Sequence, residues 1–212
     1  MDNKEIQKLY TKKASFYHFL FVDFLGIGKR AENFFRKSKY VKSDIKILDA
    51  GCGTGNATRG LYKITKERNL KDVTFHAFDL TEAMLEVFKE WIKKAGVKNV
   101  SLKQANALEL DKLPSNWKDY DMIISAGMLE YVPREKMKKA VHGLKDLLKK
   151  DGTLVVFITK RNLITRLCVG WWWKANVYSK EELQNIFESA GFQHFTIRRI
   201  NWHFMYTVEA RR

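Results

Sequence analysis

Asp49-Ala50-Gly51-Cys52-Gly53-Thr54-Gly55 follows directly on an apolar, strand-prone run at 45–48 and leads into a helical stretch from Asn56. Three glycines at alternate positions between a strand and a helix leave few folding options. Glycine permits the tight turn and lets a ligand approach with no Cβ in the way. The helix start then offers unpaired N–H groups and a partial positive charge to a carboxylate or phosphate. A strand, a glycine turn and a helix in this order form a nucleotide-binding unit. The spacing is not the G-x-G-x-x-G of a dinucleotide site, and the run lacks the lysine of a phosphate-binding loop.

The run 47–55 resembles the first motif of class I S-adenosylmethionine-dependent methyltransferases, and the rest of the chain extends the resemblance. A second β-prone stretch at 73–78 ends at Asp79, about 24 residues after Gly55, where a doubly wound fold carries an acid for a ribose diol. Alone, Asp79 is equally an ordinary strand-end acid. Asp79-Leu80-Thr81-Glu82-Ala83-Met84-Leu85 resembles the family's second motif, with Thr81 as helix N-cap. After a short strand at 100–104, Ala105-Asn106-Ala107 stands where the family usually has Gly-Asp-Ala. The Asn106 amide oxygen can accept the adenine amino hydrogen bond without the charge. A fourth strand at 120–125 precedes Ala126 to Pro133, similar to the segment that floors the active site of small-molecule members.

The resemblance implies an S-adenosyl-L-methionine cofactor, released as S-adenosyl-L-homocysteine, held by Asp49, Gly51, Cys52, Gly53, Gly55, Asp79, Leu80, Met84, Asn106 and Ala107. It also aligns Tyr10, Ala14 and Tyr17 with a Y-x-x-x-A-x-x-Y stretch of quinone-type methyltransferases, whose tyrosines close over the cofactor. Packing of that helix on the core is the competing reading. Glu130, Tyr131 and His18 are the candidate bases; Glu130 also reads as a solvent-exposed loop acid.

Alternation of strands (45–50, 73–78, 99–104, 119–125, 153–158) with helices (56–69, 81–95, 133–149) predicts a parallel sheet covered on both faces. Asp151-Gly152 reads as the turn ending the third of these helices. Ser179 and Glu182 form a capping box for a helix running to Ala190 and stopping at Gly191. Segments 192–200 and 203–210 resemble the closing antiparallel hairpin of the same family. The expected fold class is α/β, a Rossmann-like three-layer sandwich. The resemblance implies a seven-stranded, mostly parallel sheet of order 3-2-1-4-5-7-6, strand 7 antiparallel, with N-terminal lid helices. Residues 1–43 are assigned to that lid (helical at 3–20 and 29–39) and 44–212 to the cofactor-binding domain.

The chain of 212 residues carries a net charge of +15 and two cysteines, Cys52 and Cys168. The cysteine count gives no disulfide framework, so a reducing cytoplasm is expected. No metal-ligand pattern appears, no secretory signal pattern opens the chain, and the apolar stretch at 16–28 is too short to span a bilayer. The charge suits polyanions, or is simply a solvated lysine-rich surface. Trp171, Trp172 and Trp173 between Arg166 and Lys174 resemble an interfacial belt or a pocket wall. The leading acceptor is therefore a hydrophobic, lipid- or quinone-like small molecule, with peripheral contact to an anionic membrane as the partner this suggests. A soluble small molecule ranks next, then RNA or protein modification through the basic surface, then a non-catalytic cofactor-binding subunit. The sequence leaves the oligomeric state open.

Overall fold

Strand runs apolar on both faces can be buried only in a sheet covered on both sides. The computed structural model of the protein describes residues 27–171, 175–199 and 204–212. Its strands are β1 (Ile45–Ala50), β2 (Val73–Asp79), β3 (Val100–Gln104), β4 (Tyr120–Ala126), β5 (Leu148–Thr159), β6 (His194–Arg199) and β7 (Met205–Arg211). They form one seven-stranded sheet in the order β3-β2-β1-β4-β5-β7-β6. The β1–β2, β2–β3 and β4–β5 pairs are parallel, and β7 runs antiparallel to both β5 and β6. This is the order that the family resemblance implies. Burial follows position: β1 and β4 are almost wholly buried, while the edge strands β3 and β6 are half-exposed or exposed throughout. The described helices are α1 (Ile27–Lys37), α2 (Asn56–Glu67), α3 (Glu82–Lys94), α4 (Met137–Leu147) and α5 (Lys180–Ser189).

The chain divides at Asn106 and Ala107 into two compact units. In the first, α1 buries Ala31 and Phe35 and lies against α2. A Cβ at Gly60 would stand 3.3 Å from Glu32 Cβ, so the two helices meet at that glycine. Arg36 bonds Glu32 at 2.6 Å and also Glu67, and Arg68 donates to the carbonyls of Arg36 and Val41. The N-terminal stretch predicted helical at 3–20 lies outside the described residues.

In the second unit, two short helical turns (Leu129–Tyr131 and Arg134–Lys136) precede α4. The helix expected over 133–149 therefore starts later, at Met137, and ends at Leu147. Asp151-Gly152 does not end it. Leu148 already pairs with Tyr120, and Met122 pairs with Thr153, so residues 149–152 form an excursion within β5. Asp151 takes a φ of 66° there. A Cβ at Gly152 would stand 2.6 Å from the Tyr120 carbonyl, so only glycine closes the excursion. The helix terminus is satisfied instead by Arg212, whose guanidinium donates to the Asp146 and Leu148 carbonyls. The capping box on α5 forms: Ser179 Oγ accepts from the Glu182 amide, and Glu182 Oε2 accepts from the Ser179 amide at 2.7 Å.

Candidate active site

The glycine turn is pinned to the end of β2. The Gly51 and Cys52 amides both donate to the Phe78 carbonyl, at 2.8 and 2.9 Å. The Gly53 amide donates to Asp79 Oδ2 at 2.8 Å. Gly51, Gly53 and Gly55 have φ of 71°, 53° and 87°, the left-handed region where a side chain is strained. Two positions add a steric reason. A Cβ at Gly55 would overlap the Phe88 ring, while one at Gly53 would meet nothing within 4 Å. Gly55 packs against α3, and Gly53 faces open space where a ligand can lie. Helix α2 begins at Asn56 with no N-cap side-chain bond; Asp49 takes the Thr58 amide, and the amides of the first two residues have no acceptor within the helix and suit an anionic partner.

Asp49 is 1% exposed. Its Oδ2 accepts from the Thr58 hydroxyl at 2.6 Å and the Thr58 amide at 3.2 Å, and its Oδ1 has no hydrogen-bond partner. Burial, with a smaller push from the Asp79 charge, raises its carboxyl to about 6 against the pull of Thr58. Asp79, half-buried, bonds the Thr81 amide through Oδ1 at 2.9 Å. Desolvation raises its pKa, partly offset by the Thr81 and Gly53 bonds. Thr81 stands at the N-cap of α3, but its side chain makes no bond to the helix and interacts with Asp79 instead. The Ala105 amide donates to the Asp79 carbonyl at 3.0 Å, holding half-buried Asn106 next to the end of β2.

Burial, then the two acids, pushes the Cys52 thiol well up. Cys52 is therefore a neutral packing residue against Ala77, Leu85 and Phe88, not a nucleophile. Met84 is buried in the first turn of α3, and Leu80 accepts from Gln104 Nε2 at 3.0 Å. Thr58 and Phe88 escaped the sequence reading. Their only mark is a place on the inner face of a helix flanking the glycine turn.

Glu130 and Tyr131 lie in the second unit with Ala107, which is buried. Glu130 is 5% exposed, not the exposed loop acid that was its alternative. Its Oε1 accepts from the Thr159 amide at 2.6 Å and its carbonyl from the Asn176 amide at 2.8 Å. Burial raises its carboxyl to about 7 against the Thr159 bond. Tyr131 is half-buried. Tyr10, Tyr17 and His18, and Trp172 and Trp173 of the tryptophan run, lie outside the described residues. The cavity among Tyr62, Thr65, Lys66, Asp72, Thr74 and Asn99 opens at the amino end of β2, opposite Asp79.

The methyltransferase domain family matches residues 41–191. A ubiquinone/menaquinone biosynthesis C-methyltransferase of Campylobacter jejuni is 35% identical over 130 residues, 58% of this chain and 49% of that protein. A methyltransferase of Aspergillus fumigatus is 26% identical over 197 residues, 80% of this chain and 66% of that protein. The chain thus spans less than two thirds of these curated relatives. Magnesium protoporphyrin IX methyltransferase from Synechocystis, solved with S-adenosylhomocysteine, has the same fold with a TM-score of 0.74 at 15% identity, covering 100% of both chains. The chain belongs to the methyltransferase domain family, and so to the class I S-adenosylmethionine-dependent methyltransferases.

The residues fit that cofactor. The orphaned, buried Asp49 Oδ1 is an acceptor for an ammonium group, the uncapped start of α2 suits a carboxylate, and the space over Gly53 admits the chain between them.

Proposed function

We propose that this chain transfers the methyl group of S-adenosylmethionine to a small hydrophobic, quinone- or lipid-like acceptor. The observation that carries the cofactor half is the Asp49–glycine turn–Asp79 constellation, tied together by backbone hydrogen bonds before any ligand arrives. The acceptor half rests on the apolar and aromatic segment 160–178 and on likeness to a relative named for quinone biosynthesis.

When bound, the cofactor supplies an electrophilic methyl on a sulfonium. The chain's part is positioning. Asp49 would hold the ammonium, Asp79 the ribose hydroxyls and Asn106 the adenine amino group. Leu80 and Met84 would line the purine, and Ala107 would leave it room. Near-attack alignment of acceptor and methyl can lower a barrier by roughly 7–11 kcal/mol. Glu130 is the proposed base: a carboxyl held near 7 can take a proton at neutral pH. Its Thr159 bond also makes it a positioning group for the end of β5. Tyr131 and His18 are the alternatives, and residues 1–43, with Tyr10 and Tyr17, are the proposed lid.

The charge of +15 supports a second reading, modification of RNA or protein. Methyl-tritiated S-adenosylmethionine, the purified protein and an extract of the source cell separate the readings. Label partitioning into the organic phase is expected. Label in RNA or protein would replace the acceptor half, and label in aqueous small molecules would leave a soluble acceptor. No transfer to any fraction would sink the catalytic reading.

A further inference from the structure

Among the described residues, only three large hydrophobic side chains are exposed: Val87, Leu163 and Leu167. Two of the three fall four residues apart in one place. Single exposed apolar residues are ordinary on a soluble surface, but a paired ridge is not. Leu163 is 74% and Leu167 58% exposed, and Arg166 between them is also exposed.

The ridge is built rather than frayed. Asn162 caps the helical turn Leu163–Thr165, its Oδ1 accepting from the Thr165 amide at 2.8 Å. Thr165, 2% exposed, turns inward and donates from Oγ1 to the Lys160 carbonyl at 2.6 Å. A wider turn, Arg166–Trp171, continues the coil and keeps Leu163, Arg166 and Leu167 on the outward side. The feet of the segment are clamped together. The Arg161 amide donates to the Tyr178 carbonyl at 2.7 Å, and the Tyr178 amide to the Thr159 carbonyl at 3.2 Å. Glu182 takes both Arg134 and Arg161 at 2.9 Å, and Arg134 also donates to the Val177 carbonyl.

The chain segment that carries the ridge has charge of one sign, although Glu182 of the next helix pairs with Arg161 at its foot. No Asp or Glu occurs between Asp151 and Glu181, while Lys160, Arg161, Arg166, Lys174 and Lys180 do. The tryptophan run at 171–173 belongs to the same stretch of sequence. Aliphatic side chains standing out of a basic, acid-free chain segment complement anionic headgroups over acyl chains. A nucleic acid would complement the bases but gives exposed leucines nothing to bury against.

We propose that the Leu163–Leu167 ridge, with Lys160 and Arg166, docks the protein peripherally on an anionic lipid bilayer. Among the described residues no helix is long and apolar enough to cross a membrane, so the contact is interfacial. The proposal is independent of which acceptor is methylated.

Co-sedimentation with phosphatidylglycerol/phosphatidylcholine vesicles, against phosphatidylcholine alone, tests it without requiring activity. The parent protein should bind the anionic vesicles, more weakly at high salt. Leu163→Ser combined with Leu167→Ser should reduce partitioning roughly tenfold or more while leaving Tm and cofactor affinity unchanged, since neither leucine is part of the core. Val87→Ser should change nothing. Binding absent in the parent, equal on neutral vesicles, or unaltered by the double substitution would overturn the proposal. So would an effect of the double substitution confined to RNA binding or to self-association.

Discussion

Asp79 holds two backbone amides at once, one from the glycine turn and one from the start of the next helix. That geometry shapes the cofactor site before a ligand is present, and it leaves further lone pairs of the carboxylate for hydroxyl donors. Replacing Asp79 with Ala removes a charge-assisted acceptor contributing about 1.5–3 kcal/mol. Cofactor affinity by calorimetry should drop on the order of ten- to a hundredfold. An unchanged affinity would take Asp79 out of the site. The sequence marked this residue through its spacing from Gly55, whereas Thr58 lay hidden. Its pairing with Asp49 depends on how α2 sits over the turn, which no short motif encodes.

At the scale of elements, caps and stops decided what periodicity could not. The Ser179 box was legible because both its partners lie within one helical turn of sequence. Ser179→Ala should cost about 1 kcal/mol, read as a few degrees in Tm, and Ser179→Asp should restore it. An alanine variant with the parent's Tm would make the cap dispensable. The end of α4 was misplaced because its stop is tertiary. Arg212, far along the chain, takes the last carbonyls, and Leu148 enters the sheet before the Asp151-Gly152 turn. Thr81 shows the same conflict on one residue: it occupies an N-cap position, but the acid two residues before it takes its side chain.

The whole molecule carries buried acids whose ionisation opposes folding. Glu130 is raised to about 7 and Asp49 to about 6, both chiefly by burial. A raised pKa means the folded state binds the proton more tightly. That stability is fully present below the unfolded value, near 4.5 for Glu130, and is lost as pH rises through about 7. His76 runs the other way. Burial, with Lys46 nearby, lowers it to about 4, so its contribution is present above the ordinary histidine value and is lost as pH falls toward 4. Glu130→Gln isolates one share of this balance, because Gln keeps an acceptor for Thr159 but has no charge to bury. Relative to the parent, the variant should gain stability between about pH 4.5 and 7, approaching about 3 kcal/mol at the top of that window. Denaturant melts of both proteins across this range check it; a gap that stays flat with pH would contradict the burial of an ionised Glu130. In the same variant, a large fall in turnover with unchanged cofactor affinity would support the base assignment.

The sequence by itself determined the sheet order and the cofactor turn. The turn rests on a local constraint, glycines at positions of positive φ within one short run; the alternation of strands and helices gave a parallel sheet, and its order followed from the family resemblance that the motifs carry. Only the tertiary structure decided that Glu130 is buried against Thr159, that Asp49 keeps an unpartnered oxygen, and that Leu163 and Leu167 stand out in solvent. Burial is a sum over neighbours brought from distant parts of the chain, and residue type alone does not carry it.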